Sequence, residues 1–89
     1  MKPLEKKIIV NIQRGVHGRV ATRLARIAQQ HDVQLYILRK GKDIDCSSVL
    51  DVLSMAFVFG TQLKFRVQGK GAIKALTAVE KLFATRGEP

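Results

Sequence analysis

Residues 63–68, which read Leu-Lys-Phe-Arg-Val-Gln, alternate strictly between apolar and polar side chains. Successive side chains of a β-strand point to opposite faces of a sheet, so this segment predicts a strand with one buried and one solvated face. Residues 33–37, Val-Gln-Leu-Tyr-Ile, repeat the alternation. Two one-sided strands predict an antiparallel or mixed sheet that helices cover on one face only.

The other elements follow one another along the chain without a linker or an internal repeat. We predict strands over Lys6–Ile12, Val33–Ile37, Asp43–Asp45 and Leu63–Gln68, and helices over Gly18–Gln30, Val49–Met55 and Ala72–Thr85. The apolar stripe predicted for the last helix comprises Ile73, Leu76, Val79, Leu82 and Phe83, and Gly87 with Pro89 closes that helix. This order, βαββαβα, predicts an α+β fold: an open-faced β-sandwich with a four-stranded, mainly antiparallel sheet and three helices on one face. Residues 1–89 then form a single domain.

The chain is strongly basic. Sixteen Lys and Arg against seven Asp and Glu give a formal net charge of +9 over 89 residues, which favours an acidic partner. The basic residues are spread along the chain, and no motif for nucleic-acid binding accompanies them. The single cysteine, Cys46, excludes an internal disulfide, and no motif for a cofactor or a metal is present.

The sequence also limits location and chemistry. No apolar run approaches the roughly 20 residues of a membrane span, and the first residues, Met-Lys-Pro-Leu-Glu-Lys-Lys, lack the apolar core of a signal peptide. We therefore expect a cytoplasmic protein without membrane insertion. Paired carboxylates, a nucleophile–base pair and a nucleotide-binding glycine loop are missing, so we expect no independent enzyme.

His17 follows a turn glycine, Gly15, and stands at the start of the first predicted helix. A helix start offers unpaired backbone N–H groups and the positive end of the helix dipole, so it favours a bound anion. A nucleophilic imidazole there, with Arg19 two residues later, is suited to accepting a phosphoryl group. The alternative is that His17 only caps the helix. His31, at the end of the same helix, is assigned no function.

Three blocks of the sequence resemble, in order and spacing, the HPr family, the histidine-containing phosphocarriers of the bacterial phosphotransferase system, or its nitrogen-related paralogue. The blocks are residues 15–19 (Gly-Val-His-Gly-Arg), Gly41-Lys42 with residues 48–55 (Ser-Val-Leu-Asp-Val-Leu-Ser-Met), and Gly60 with the strand at residues 63–67 and Gly69. They resemble the active-site motif, the regulatory serine with its short helix, and the final strand and turn of the family.

The resemblance implies a function. The histidine at the position of His17 accepts a phosphoryl group on Nδ1 from enzyme I, whose donor is phosphoenolpyruvate, and passes it to sugar-specific or regulatory acceptor domains. Arg19 matches the family's active-site arginine, and Gly18 with Arg19 would bind the phosphate. The carrier works with partner enzymes, needs no cofactor, and is expected to be a monomer.

The resemblance also implies two features of the second helix. Ser48 corresponds to the serine that a kinase phosphorylates in some members, although Ser48, or equally Ser47, could simply cap this helix. Val49, Leu50, Leu53 and Phe57 are the residues expected to dock partners. The apolar run from Met55 to Phe59 also suits the core.

Three functions remain open on the sequence. The first is the phosphocarrier. The second is a regulatory binding module of the same fold, controlled by phosphorylation at His17 or Ser48, and Val20 favours this branch because many family members have proline there. The third is a basic nucleic-acid-binding domain, in which the histidine is coincidental.

Overall fold

Three helices cover one face of a four-stranded antiparallel sheet, and the other face is open to solvent. The structure is a computed structural model that describes residues 2–86. Its elements are β1 (Leu4–Ile9), α1 (Gly18–Gln30), β2 (Val33–Leu38), β3 (Ile44–Asp45), α2 (Val49–Ser54), β4 (Gln62–Gly69) and α3 (Ala72–Ala84). This order confirms the predicted open-faced α+β fold. Gly87 and Pro89, to which the sequence assigned the end of the last helix, lie outside the described residues.

The strands lie in the order β1-β4-β2-β3, and every neighbouring pair is antiparallel. Phe65 of β4 is opposite Ile37 of β2, and both side chains are fully buried. Arg66 faces the opposite side, where it is opposite Glu5 of β1. The alternation in the sequence therefore separates the apolar core from a charged outer face, as predicted.

The core fills the space between the sheet and the helices. Phe65 contacts Phe83 of α3 with ring centroids 5.8 Å apart and an angle of 54° between the rings. From α1, Val20 and Leu24 are also fully buried. Each of these side chains stabilises the fold by about 1.5–3 kcal/mol through removal of apolar surface from water. The core thus holds α1, and with it the residues at its start, firmly on the sheet.

The prediction for the first strand was wrong at both ends. The strand spans Leu4–Ile9 rather than Lys6–Ile12. After Ile9 the chain leaves the strand ladder: the Val10 carbonyl accepts a hydrogen bond from the amide of Gly60, 2.8 Å away, in the turn before β4. Val10 and Ile12 are buried in the core. They are apolar because this loop packs against the core, and not because they belong to the strand.

The prediction for the apolar stripe of α3 was wrong at one residue. Ile73 is 74% exposed, whereas Ala72 and Ala75 are buried. The two alanines lie one turn apart on the same face as Val79 and Leu82, and their small side chains let the helix approach the core closely. Ile73 points about 100° away from this face.

Candidate functional site

The loop between β1 and α1 is held in place by the segment that follows α2. The amide of Val16 donates to the Phe57 carbonyl at 2.9 Å, and the amide of Gly15 donates to the Ile12 carbonyl at 2.8 Å. Gly15 has φ +73°, and a Cβ at this position would collide with the Phe57 carbonyl. Only glycine satisfies both conditions, so Gly15 and Phe57 together determine where the next residues lie.

His17 is the N-cap of α1. Its backbone is extended (φ −96°, ψ −174°), and its Nδ1 accepts a hydrogen bond from the Arg19 amide at 3.3 Å. A ring nitrogen that accepts a hydrogen bond carries a lone pair, which places the ring proton on Nε2. The lone pair of Nδ1 therefore faces the positive end of the helix dipole.

The first amides of α1 form a donor site around this nitrogen. The Arg19 amide serves Nδ1, and the amide of Gly18 has no acceptor among the described residues. Gly18 is exposed, and a Cβ there would meet no atom within 4 Å, so the approach is open. The first turn carries no acidic side chain. An anion at Nδ1 would meet donors without competition from a carboxylate.

A shallow basin of about 400 Å³ opens at His17. It is lined by Ile12, Gln13, Arg14, His17, Arg19 and Arg86. Its three arginines come from three segments: the loop before α1, the first turn of α1, and the turn after α3. None of the three forms an ion pair with a carboxylate in the part of the chain that the structure describes. The basin is therefore positively charged.

The structure brings some of the predicted site residues together and separates others. His17, Gly18 and Arg19 lie at one helix start, as their spacing predicted. Arg14 and Arg86 were not among the predicted site residues. Arg14 could have been found, because it stands only three residues before His17. Arg86 could not, since its place beside His17 depends on how α3 packs.

Ser48 and its neighbour Ser47 have different contacts. Ser48 is the N-cap of α2, and its hydroxyl oxygen accepts from the Asp51 amide at 3.4 Å. Ser47 instead donates its hydroxyl proton to the Asp45 carboxylate at 2.7 Å. Of the two serines considered for the cap, Ser48 takes this place. Its phosphorylation stays a prediction.

The predicted docking residues on α2 differ in exposure. Leu50 is 79% exposed, and Val49 and Leu53 are partly exposed. Phe57 is only 5% exposed, so its assignment to a docking surface was wrong. Its ring is buried in the core with the guanidinium of Arg39 over it, 5.4 Å from the ring centroid.

Two other residues of the same apolar run are exposed. Val58 and Phe59, directly after Phe57 in the chain, are 65% and 58% exposed. The apolar run from Met55 to Phe59 thus divides between core and surface. Its inward residue, Phe57, supports the loop of His17 through its backbone carbonyl.

Other chemistry has little support within residues 2–86. No group of three or more His, Cys, Asp or Glu side chains there is arranged to hold a metal ion. No helix in this range is long and apolar enough to cross a membrane. Cys46 is fully buried, and burial, together with the charge of Asp45, raises the pKa of its thiol far above the ordinary value. The thiol therefore stays protonated and acts as a packing group.

Fold and site together define a class of protein: a small open-faced sandwich with an imidazole at a helix start, in an arginine-lined basin. Comparison with known proteins makes this class specific. The family model for the PTS HPr component phosphorylation site matches residues 4–85. The chain belongs to the HPr family, the phosphocarriers of the phosphotransferase system.

Individual proteins show the same relationship. The phosphocarrier protein HPr of Treponema pallidum is 30% identical over 83 residues, which cover 93% of this chain and 94% of that protein. The phosphocarrier protein NPr of Shewanella violacea is 30% identical over 79 residues, covering 89% and 87% of the two chains. The crystal structure of an HPr from Thermoanaerobacter tengcongensis has the same fold, with a TM-score of 0.84, 22% identity, and coverage of 98% and 96%.

Proposed function

We propose that this protein carries a phosphoryl group on Nδ1 of His17, receives it from phosphorylated enzyme I, and delivers it to an acceptor domain of the phosphotransferase system. Phosphoenolpyruvate would be the primary donor. The observation that carries the proposal is the position of Nδ1, whose lone pair faces the first amides of α1 inside the arginine-lined basin. The family to which the chain belongs supports the same chemistry. Transfer of this kind would take place in the cytoplasm.

The transfer step conserves atoms and electrons. The Nδ1 lone pair attacks phosphorus, the bond from phosphorus to the donor breaks, and its electron pair leaves with the donor. Negative charge accumulates on the three oxygens that lie around phosphorus in the transition state. The Arg19 side chain and the amides of Gly18 and Arg19 would stabilise this charge, and the amides are fixed donors that need no reorganisation.

The same amide donors can serve both states of the carrier. Before reaction, the Arg19 amide donates to Nδ1 at 3.3 Å. Once the N–P bond forms, Nδ1 no longer accepts a hydrogen bond. The phosphoryl oxygens then lie at the helix start, where one of them would accept from the Arg19 amide instead. Neither state then leaves this donor unsatisfied, which suits a protein that must both accept and release the group.

The proposal is tested by phosphorylation in vitro. The protein is incubated with phosphoenolpyruvate and an enzyme I that phosphorylates another HPr, and the product is analysed by intact mass and by loss of phosphate in acid. We expect one acid-labile phosphoryl group, absent from His17→Ala. His31→Ala, at the other end of α1, is the matched control and should be labelled normally.

Two results would contradict this proposal. The first is a lack of incorporation into the folded wild-type protein, although the same enzyme I labels another HPr. The second is full labelling of His17→Ala, which would place the acceptor on another residue.

The regulatory branch is a second candidate, because the NPr of Shewanella violacea matches this chain at 30% identity, as the HPr of Treponema pallidum does. In that case the phosphoryl group would go to a regulatory acceptor, with Ser48 as a further control site. Offering the phosphorylated protein a sugar-specific and a nitrogen-related acceptor together separates the branches by their relative rates. Membership of the HPr family favours a phosphocarrier over the nucleic-acid-binding alternative.

Docking would use apolar and basic surface together. Leu50 on α2 and, a few residues later in the chain, Val58 and Phe59 are large apolar residues that are exposed, and Val49 and Leu53 are partly exposed. Such residues form the apolar centre of an interface, and the arginines of the basin would attract an acidic rim. We propose that enzyme I and the acceptors bind this surface one at a time, to a monomeric carrier.

A further inference from the structure

Arg14 and Arg86 lie in the same basin as His17 and Arg19, although they are far apart in the sequence. Arg14 belongs to the loop before α1. Two residues later in this loop, the amide of Val16 donates a hydrogen bond to the Phe57 carbonyl and holds the loop in place. Arg86 follows α3, and its amide donates to the Phe83 carbonyl at 3.0 Å. Both backbones are therefore anchored to buried residues, in positions from which the two side chains line the basin.

The charge balance of the basin is one-sided. Within residues 2–86, Arg14, Arg19 and Arg86 form no ion pair with a carboxylate, and no acidic side chain lines the basin. Three guanidinium groups around about 400 Å³ repel one another while the basin is empty. An anion relieves this repulsion and also gains the amides of α1 as donors. Guanidinium groups match the oxygens of a phosphate with paired hydrogen bonds, which favours phosphate over a simple halide.

We propose that Arg14 and Arg86 complete, with Arg19, a three-arginine phosphate site that binds free inorganic phosphate next to unmodified His17 and holds the phosphoryl group once it is on Nδ1. The second part rests on the proposed function, and the first does not. One consequence follows for the carrier: inorganic phosphate competes with the incoming phosphoryl group, so phosphorylation by enzyme I slows as phosphate rises. A second consequence is that Arg14 and Arg86 shift the transfer equilibrium towards the phosphorylated protein.

The first experiment measures binding of inorganic phosphate to the unphosphorylated protein. Phosphate is titrated at constant ionic strength, and the NMR amide shifts of Gly18, Arg19 and Val20 are followed. We expect saturable shifts in the millimolar range that chloride alone does not reproduce. Arg14→Gln and Arg86→Gln should each weaken binding by about threefold to tenfold.

The control for net charge is Arg26→Gln, which removes the same charge from the exposed face of α1 outside the basin. It should leave phosphate affinity within a factor of about two. If Arg14→Gln and Arg86→Gln bind phosphate as Arg26→Gln does, the three-arginine site is wrong. Saturation of the same shifts by chloride would also overturn it. Thermal unfolding of each variant verifies that the fold is kept.

The second experiment measures the equilibrium of phosphoryl exchange with enzyme I. Arg14→Gln should shift it about threefold to tenfold towards the unphosphorylated protein, while Arg26→Gln leaves it unchanged. If enzyme I never labels the protein but phosphate still titrates its amides, the proposed function fails and the anion site stands. If labelling is normal and Arg14→Gln changes neither affinity nor equilibrium, the function stands and the anion site fails.

Discussion

Arg66 on the open face of the sheet and Arg19 beside His17 are both surface arginines, but their surroundings differ. Arg66 donates to Glu5 at 3.2 Å and to Asp43 at 3.3 Å, and Lys64 pairs with the same Glu5 at 3.1 Å. Among residues 2–86, Arg19 shares its basin with two further arginines and with no acidic side chain. Arg66 and Lys64 are paired with carboxylates of the protein, whereas Arg19 forms no such pair within this range. Unbalanced charge, more than charge itself, distinguishes the basin at His17 from the open face of the sheet.

The difference has its origin in the sequence and in strand pairing. Between Glu5 and Asp32 the chain has no acidic residue, so α1 and the loop before it carry only positive charge. On the sheet, the antiparallel register of β1 and β4 places Glu5 directly opposite Arg66. Exposed ion pairs of this kind contribute about 0–1 kcal/mol. Their main effect is to leave the outer face of the sheet with little attraction for an anion.

The largest effect is expected from comparing Arg19→Gln with Arg66→Gln, which remove the same charge from the two regions. Arg19→Gln should slow phosphoryl transfer by about 100-fold, because it removes a donor to the transition state, and should leave the fold intact. Arg66→Gln should leave transfer unchanged and alter the free energy of unfolding by less than about 1 kcal/mol. Quench-flow transfer from enzyme I and urea unfolding measure the two quantities. Equal transfer rates in the two variants would remove the distinction between the regions.

A smaller effect is expected from Gly15→Ala, which disturbs the contact between the loop before α1 and the Phe57 carbonyl. The positive φ and the collision with the Phe57 carbonyl together should cost about 1–3 kcal/mol of stability and displace His17, which reduces transfer. Gly41→Ala is the matched control, since Gly41 also has a positive φ (+85°) but a Cβ there meets no atom within 4 Å. It should cost only about 1 kcal/mol and leave transfer unchanged. Loss of transfer in both variants would indicate a general effect of destabilisation.

The smallest effect is expected from the ion pairs of the sheet as the pH falls. Hydrogen bonds from Lys64 and Arg66 hold the pKa of Glu5 below its ordinary value. Because the pKa is lower in the folded state, this stabilisation is present above the pKa of the unfolded chain, about 4.3, and disappears as the pH falls through the folded-state value. Glu5→Gln should therefore lower the melting temperature slightly at neutral pH and not at all in acid. A difference that grows on acidification would contradict this assignment.

Local patterns were enough to predict most elements. The helix Gly18–Gln30 has the predicted bounds. The alternation predicted the buried face of β4 correctly, and in β2 it was right at Leu35 and Ile37, while Val33 is only partly buried. Both patterns depend on neighbours within a few residues, so no knowledge of distant contacts is needed. His17, Gly18 and Arg19 could be placed together for the same reason, because they occupy one helix start.

Distant contacts explain where prediction failed. Val10 and Ile12 look like a continuation of β1, but the turn before β4 takes the hydrogen bonds of Val10 and turns the chain into a loop. Phe57 and Phe59 are two residues apart with the same side chain, yet only Phe57 is buried. Hydrophobicity alone does not distinguish them, since the core accepts one ring at this place and covers it with Arg39.

The sequence by itself determined the order of the elements, the one-sided sheet and the imidazole at a helix start, because each depends on the periodicity or backbone preference of a short segment. Only the tertiary structure decided that Arg86, after α3, lies beside Arg14 and His17, at the other end of the chain. That proximity depends on how α1 and α3 pack on the sheet. Packing is a property of all the buried side chains together, so no local pattern encodes it.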